Sequence, residues 1–306
     1  MSALSGYKQY GRKYRVIVSS KKGEGIDVSN LRCIFHVEKT LDDTPGFSQV
    51  SIYNLKQSTV RSIAPEDTVI VEAGYEKGNY GMIFSGDVVQ PLTALEEGVD
   101  YVLTLVCQDG DQFLNSAFVA QTLEKKTPFS GVLGACTKGV ATNKITEEID
   151  KKGKLIRGKV LFGKASGYVK KLADSVQSQL FVEDGKINIV GAKDYDGGTA
   201  VVLNSDTGLI GTPNQTDDGV SFMCLINPSI KLNTLVHIDA NQVAQKKVSS
   251  GETAFLEVNA DGIYRVVKIS YDGDTHGNDW YMKCEAITQS GAKPDGLVNG
   301  ETNPWR

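Results

Sequence analysis

At 306 residues the chain has room for about two domains. An apolar fraction of 40% suits small β domains, and a net charge of -4 gives no global reason to expect nucleic-acid binding. No apolar run approaches the ~18 residues of a membrane span, and the polar, basic stretch Met1 to Tyr14 lacks the apolar centre of a secretory signal.

The pattern along the first third is one of short strands. Lys13 to Ser19 is a strand, and Leu31 to Lys39 alternates as a half-buried one. Thr44-Pro-Gly46 turns the chain, and Phe47 to Leu55 alternates again. Ser58 to Ile63 fits one helical turn, Pro65-Glu-Asp67 turns, and Thr68 to Tyr75 is strongly β-branched. A ribbon follows. Met82 to Val89 leads to a turn at Leu95-Glu-Glu-Gly98, and Asp100-Tyr-Val-Leu-Thr-Leu-Val-Cys107 returns to Asp109-Gly110. Residues 12–122 thus predict a small barrel or sandwich.

Near Leu123 the character changes. Thr127-Pro128 reads as an N-cap followed by proline at the first helical position, with Phe129, Val132, Leu133, Cys136 and Val140 at helical spacing. A second helix is expected over Ser166–Ser178, capped by Ser166, with Tyr168, Val169, Leu172, Ala173 and Val176 on one apolar face. Leu180–Glu183 and Lys186–Val190 form a hairpin through the two-residue turn Asp184-Gly185. This block is basic: Lys125, Lys126, Lys138, Lys144, Lys151, Lys152, Lys154, Arg157, Lys159, Lys164, Lys170 and Lys171 outnumber its acids. It lacks the interleaved aromatics of a base-stacking surface, so a solvated face or a protein contact is the stronger reading.

Strands resume at Thr199–Leu203, Gly219–Ile226 and Leu235–Ala240, and a polar excursion spans Asn241–Glu252. A second ribbon then repeats the first. Ile263–Ser270 leads through Asp272-Gly-Asp-Thr-His-Gly277 to Asp279-Trp-Tyr-Met-Lys-Cys284, with Asp-aromatic again opening the return strand. The expected fold class is mainly β with an α+β insert. Two related tube-like β-barrels occupy 1–122 and 201–290, an α/β unit lies at 123–200, and 291–306 is a loose tail.

Signals for chemistry are weak. The cysteines Cys33, Cys107, Cys136, Cys224 and Cys284 are odd in number and none lies at metal-motif spacing, which points to reduced, buried thiols. Asp272, Asp274, His276 and Gly277 match the start of a calcium loop, but Lys283 replaces the bidentate Glu, so a hairpin turn is the better reading. His36, His237 and His276 are scattered. Gly23-Glu-Gly25 lacks the third glycine of a dinucleotide loop, and the acid pairs Glu147-Glu148 and Asp217-Asp218 read as solvated turns. No catalytic, cofactor-binding or metal-binding residue is assigned.

Three segments carry a resemblance: Phe84-Ser-Gly-Asp87; Gly208-Leu-Ile-Gly-Thr-Pro213 with Gly219-Val-Ser-Phe-Met-Cys-Leu-Ile-Asn-Pro228; and Tyr264-Arg-Val-Val-Lys-Ile with Gly273-Asp-Thr-His-Gly-Asn-Asp-Trp280. Their order resembles the baseplate or tail hub proteins of tailed bacteriophages, in particular the short hubs of contractile-tailed phages. That resemblance implies a structural virion protein with no shared catalytic residues. It also implies a homotrimer whose paired barrels form a pseudo-sixfold ring between the hexameric tail tube and the trimeric central spike. Other baseplate proteins or the sheath would meet the insert. DNA could pass through the channel without specific binding, no membrane is involved, and assembly takes place in the host bacterial cytoplasm. The competing readings are a particle-borne cell-wall hydrolase and a carbohydrate- or calcium-binding β module.

Overall fold

The computed structural model describes residues 9–20, 25–41, 46–147, 149, 151, 153–191, 194–195, 199–216, 219–239, 241, 243–244 and 261–288. The first stretch comprises β1 (Arg12–Ser19), β2 (Gly25–Asp27), β3 (Cys33–Thr40), β4 (Phe47–Tyr53), α1 (Gln57–Val60), β5 (Thr68–Tyr75), β6 (Tyr80–Glu96) and β7 (Asp100–Gln108). A π-helical segment, Gln112–Ser116, leads into β8 (Phe118–Leu123), α2 (Phe129–Cys136), β9 (Thr142–Ile145), β10 (Lys159–Lys164), α3 (Ala165–Ser175), β11 (Ser178–Glu183) and β12 (Lys186–Gly191). The last stretch holds β13 (Val201–Leu203), β14 (Leu209–Gln215), β15 (Gly219–Leu225), β16 (Leu235–Ile238), β17 (Ile263–Asp274) and β18 (Trp280–Thr288). The fold is mainly β with an α+β insert.

The two β-rich stretches share one sheet. Its hydrogen-bonded order is β14-β15-β18-β17-β3-β4-β7-β6-β5-β1-β2, and β16 and β13 continue from β17. Alternation explains the burial. On β3, Cys33, Phe35 and Val37 point inward and His36 points out, because successive side chains take opposite faces of a strand. The inward residues of both stretches form a single apolar cluster, running from Val16 and Phe35 through Leu105 to Phe222, Ile269 and Met282.

Both long ribbons carry a β-bulge at the same place. In β6–β7 the register shifts between Val88 and Gln90; in β17–β18 it shifts between Val266 and Lys268. The odd residue out is Val89 in one and Val267 in the other. A bulge bends its strand and increases the local twist. Here it also marks a change of partner: β17 pairs with β16 over Ile263–Arg265 and with β3 over Lys268–Asp274.

A second apolar cluster, from Phe113 to Ile189, belongs to the insert. β8 pairs with β10, and β11 and β12 form a small sheet with β9. The Asp184-Gly185 turn has both residues at positive φ, 54° and 73°, as a two-residue hairpin of this hand requires. Both expected caps are corrected. The Thr127 hydroxyl donates to the Glu124 carbonyl, and Pro128 occupies the cap position of α2. The Ser166 hydroxyl donates to the Leu114 carbonyl, because the cap position of α3 is Lys164, two residues before the serine. That bond ties α3 to the π-helical segment. The apolar face of α3 is as expected: Val169, Leu172 and Ala173 are buried, and Tyr168 is half-buried, with its hydroxyl donating to the Phe162 carbonyl. The segments 1–8, 44–45, 240, 242, 245–252 and 289–306 lie outside the described residues, and with them most of the expected polar excursion and of the expected turn at Thr44-Pro45.

Leu172→Ala should destabilise the insert by roughly 2–5 kcal/mol through the cavity it leaves, and Leu172→Asp should unfold it. Thermal unfolding followed by circular dichroism, with proteolysis to locate the opened segment, checks both outcomes.

Candidate assembly surfaces

The joint between the two β-rich stretches is built where β17 meets β3. Gly273 lies opposite Phe35, and a Cβ there would overlap the Phe35 ring. The space lets Trp280 pack edge-on against Phe35 at 5.6 Å and against Tyr14 at 6.0 Å between ring centroids. The Arg12 guanidinium lies 5.4 Å over the indole and donates to the Gly277 and Asn278 carbonyls. Trp280 is consequently only 3% exposed. On the outer face the His36 Nδ1 lies 2.6 Å from an Asp272 carboxylate oxygen, and Arg32 donates to Asp274 at 2.7 Å. The hydrogen bond from Arg32 is the main cause holding the Asp274 carboxyl below its ordinary range.

The insert rests on the sheet through Phe181 of β11, which is buried in the sheet's apolar cluster, and through a buried ionic cluster. Asp109 accepts the backbone N–H groups of Asp184 and Gly185 at 2.6 and 2.8 Å. The Lys39 Nζ, from β3, lies 2.6 Å from Asp184 and 3.9 Å from Glu183, with both side chains almost fully buried. Burial raises the Asp109 carboxyl to about 6 despite Lys39 and the two N–H donors, and it raises Glu183 as well. Gly110, at φ +65°, lets the chain pass against Val182 of β11, where a Cβ would clash.

Among the described residues, exposed apolar side chains gather at the β6–β7 tip and on the insert. The tip of the β6–β7 ribbon exposes Leu92, Leu95, Val99 and Tyr101. On the insert, Phe118 and Phe162 stack edge-to-face at 5.1 Å on the outer side of the β8–β10 ribbon, beside exposed Val160. Leu95 and Tyr101 stand opposite each other on one face of the ribbon, and Leu92 lies on the other; exposed apolar groups of this kind mark sites of protein contact.

The sequence matches the family described as Baseplate hub gp41 over residues 46–286. The chain belongs to that family. It is a baseplate hub, a structural phage tail protein. No curated protein sequence matches it. The hub chain has the fold of several solved tail proteins. These include a 43 kDa tail protein of prophage MuSo2 from Shewanella oneidensis, at 10% identity, a TM-score of 0.58, and coverage of 90% of this chain and 97% of that one. A tail protein from Neisseria meningitidis MC58 aligns at 12% identity and TM-score 0.56, covering 91% and 97%. The E. coli c3393 protein, a component of the type VI secretion system, aligns at 8% identity and TM-score 0.55, covering 94% and 80%. At such identities the likeness is one of fold.

Within the hub the residues singled out from sequence are dispersed. Asp272 and Asp274 lie in β17 and not in a turn, because the ladder with β3 continues to Asp274. Their carboxylates serve different partners, His36 and Arg32. The first ribbon likewise turns later than expected, with Glu97 and Gly98 at positive φ and β6 reaching Glu96. His237 lies in β16, and the His276 Nδ1 is 2.9 Å from the Thr275 hydroxyl. All five cysteines are free and buried. Glu147 pairs with exposed Lys151, while Glu148, Lys152, Gly23, Asp217 and Asp218 lie outside the described residues. Among the described residues no group of three His, Cys, Asp or Glu could hold a metal ion, and no helix is long and apolar enough to cross a membrane. The sequence reading missed the Lys39–Asp109–Asp184 cluster, whose members are remote in the chain; the Asp109-Gly110 and Asp184-Gly185 pairs registered only as turns.

Lys39→Met should destabilise the hub by roughly 3–5 kcal/mol, because it strands buried carboxylates. The Asp109 carboxyl is raised on folding, so its contribution is full below about pH 4 and is lost as pH rises through about 6. Asp109→Asn should remove that component, on the order of 3 kcal/mol, and lessen the fall in stability between those values, leaving the part due to Glu183. Urea titrations at several pH values check both.

Proposed function

We propose that the hub is a symmetry adaptor: a homotrimer in which each chain supplies two barrel units, at 1–122 and 201–290, to a ring of six. One face of the ring docks on the hexameric tail tube and the other holds the trimeric central spike. The observation that carries this reading is the repeated bulged ribbon, with its shift at Val88/Gln90 in one half and at Val266/Lys268 in the other. A duplicated unit reconciles sixfold and threefold neighbours, since three chains then present six similar surfaces.

The insert at 123–200 faces outward in this reading, toward other baseplate proteins. The exposed Phe118–Phe162 pair supports such a contact. DNA passes through the channel without sequence readout. The hub acts as a non-enzyme without a cofactor, in the virion baseplate, after assembly in the host bacterial cytoplasm. In support, the acids of the calcium-like loop and of the insert's hairpin turn are held in ion pairs. Asp272 pairs with His36, Asp274 with Arg32, and Asp184 with Lys39.

Light scattering on the purified full chain should give the mass of three chains, and incubation with peptidoglycan should release no soluble fragments. A monomer at all concentrations would contradict the trimer. Turnover abolished by one carboxylate substitution would contradict the structural role.

A further inference from the structure

The internal joint has an unmade counterpart, and it can be located residue by residue. After the bulges, Gln90 lies opposite Val106 and Lys268 opposite Glu285. Val106 lies opposite Gln49 and Glu285 opposite Ser221. Gln49 lies opposite His36 and Ser221 opposite Asn214. At Asn214 and Gln215, β14 therefore occupies in the second half the place of β3 in the first; unlike β3, it has a register shift just before, between Ile210 and Asn214. β3 is covered by β17, with His36 opposite Asp272, four residues beyond Lys268. The residue four beyond Gln90 is Ala94. Among the described residues β6 past Val88 pairs only with β7, so its other edge carries no ladder.

We infer that Thr93–Glu96 of β6 in one copy of the hub pairs antiparallel with Thr212–Gln215 of β14 in the next copy, Ala94 facing Asn214, Leu95 facing Pro213 and Thr93 facing Gln215. This is strand addition at a sheet edge, repeated head to tail around the ring. It rests on the trimer reading above and names the surfaces that close it.

Side chains support the match. Leu95 and Tyr101 stand opposite each other, as Gly273 and Trp280 do. Trp280 is buried by the β3 side of its joint, while Tyr101 is 56% exposed and Leu95 52%. The open ribbon tip is thus the half of a joint that lacks its other half. The outward residues of β14 are Pro213 and Gln215. In the single chain they are held by Ala244, whose N–H donates to the Pro213 carbonyl at 2.7 Å and whose carbonyl accepts from Gln215 at 3.0 Å. The incoming β6 replaces both bonds: Leu95 N–H donates to the Pro213 carbonyl, and Thr93 and Gln215 exchange bonds. Ala244 on one edge and Pro91, which lacks an N–H, on the other keep these edges from pairing indiscriminately.

Ala94 and Asn214 form a non-hydrogen-bonded pair in this register, with Cα atoms about 4.5 Å apart, close enough for a disulfide. The test uses the full chain carrying Ala94→Cys and Asn214→Cys, oxidised mildly and run on a non-reducing gel. The native thiols are buried. The expected result is a covalent trimer, a single dimer band when the two single variants are mixed, and at least tenfold less product when Asn214→Cys is replaced by Thr212→Cys. A trimer by light scattering without the cross-link would overturn this joint and leave the trimer reading standing. A monomer by scattering without the cross-link would overturn both. Dimers from either single variant alone would show a face-to-face contact and overturn the joint.

Discussion

The ladder between β17 and β3 is the constraint on which the rest of the hub depends. It exists because β17 changes partner at Val267, whose carbonyl accepts the Leu41 N–H while Lys268–Asp274 run alongside Thr40–Ile34. Before the bulge β17 serves its own half; after it, the other. Without that switch the two β-rich stretches would be separate sheets joined by the insert. With it they form one sheet over one apolar cluster. The aromatic seal at Trp280 and the outer pairs His36–Asp272 and Arg32–Asp274 then fix the register from both faces. A shift by one residue would send Phe35 to solvent and His36 into the core.

The insert is attached differently. Most of its apolar residues form a cluster of their own, Phe181 alone of its described fully buried residues joins the sheet's cluster, and part of its contact with the sheet is charged. Desolvating three carboxylates against one lysine is unfavourable compared with an apolar contact, as the raised Asp109 and Glu183 show. In exchange the geometry is specific: Asp109 reads two consecutive N–H groups of one hairpin turn, and only a chain with Gly110 can lie so close to Val182.

Much of this was legible in the sequence. The strand alternation at Leu31–Lys39 and Thr68–Tyr75, the α3 face and the Asp184-Gly185 hairpin follow from side-chain period and turn chemistry, which are local. So does the kinship of Asp100-Tyr101 with Asp279-Trp280. The β14 strand escaped notice because it contains Gly211 and Pro213, residue types depleted in strands. β8 and β10 were hidden because Phe118, Val160 and Phe162 point to solvent, giving alternation with no visible inner face. The bulges at Val89 and Val267 involve no glycine and leave no mark. The Lys39–Asp184 and His36–Asp272 pairs depend on register between strands far apart in the chain, which no local pattern encodes.

The central claim is that one bulged barrel unit occurs twice per chain and that like joints connect all copies. Electron cryomicroscopy of the assembled hub tests it most directly, through the rotational symmetry of the density at the radius of the β-strands. The account predicts a threefold particle whose inner strand layer is dominated by sixfold power, with the inserts adding only threefold power outside it. An inner layer with threefold power alone, or a ring closed by the inserts, would contradict it.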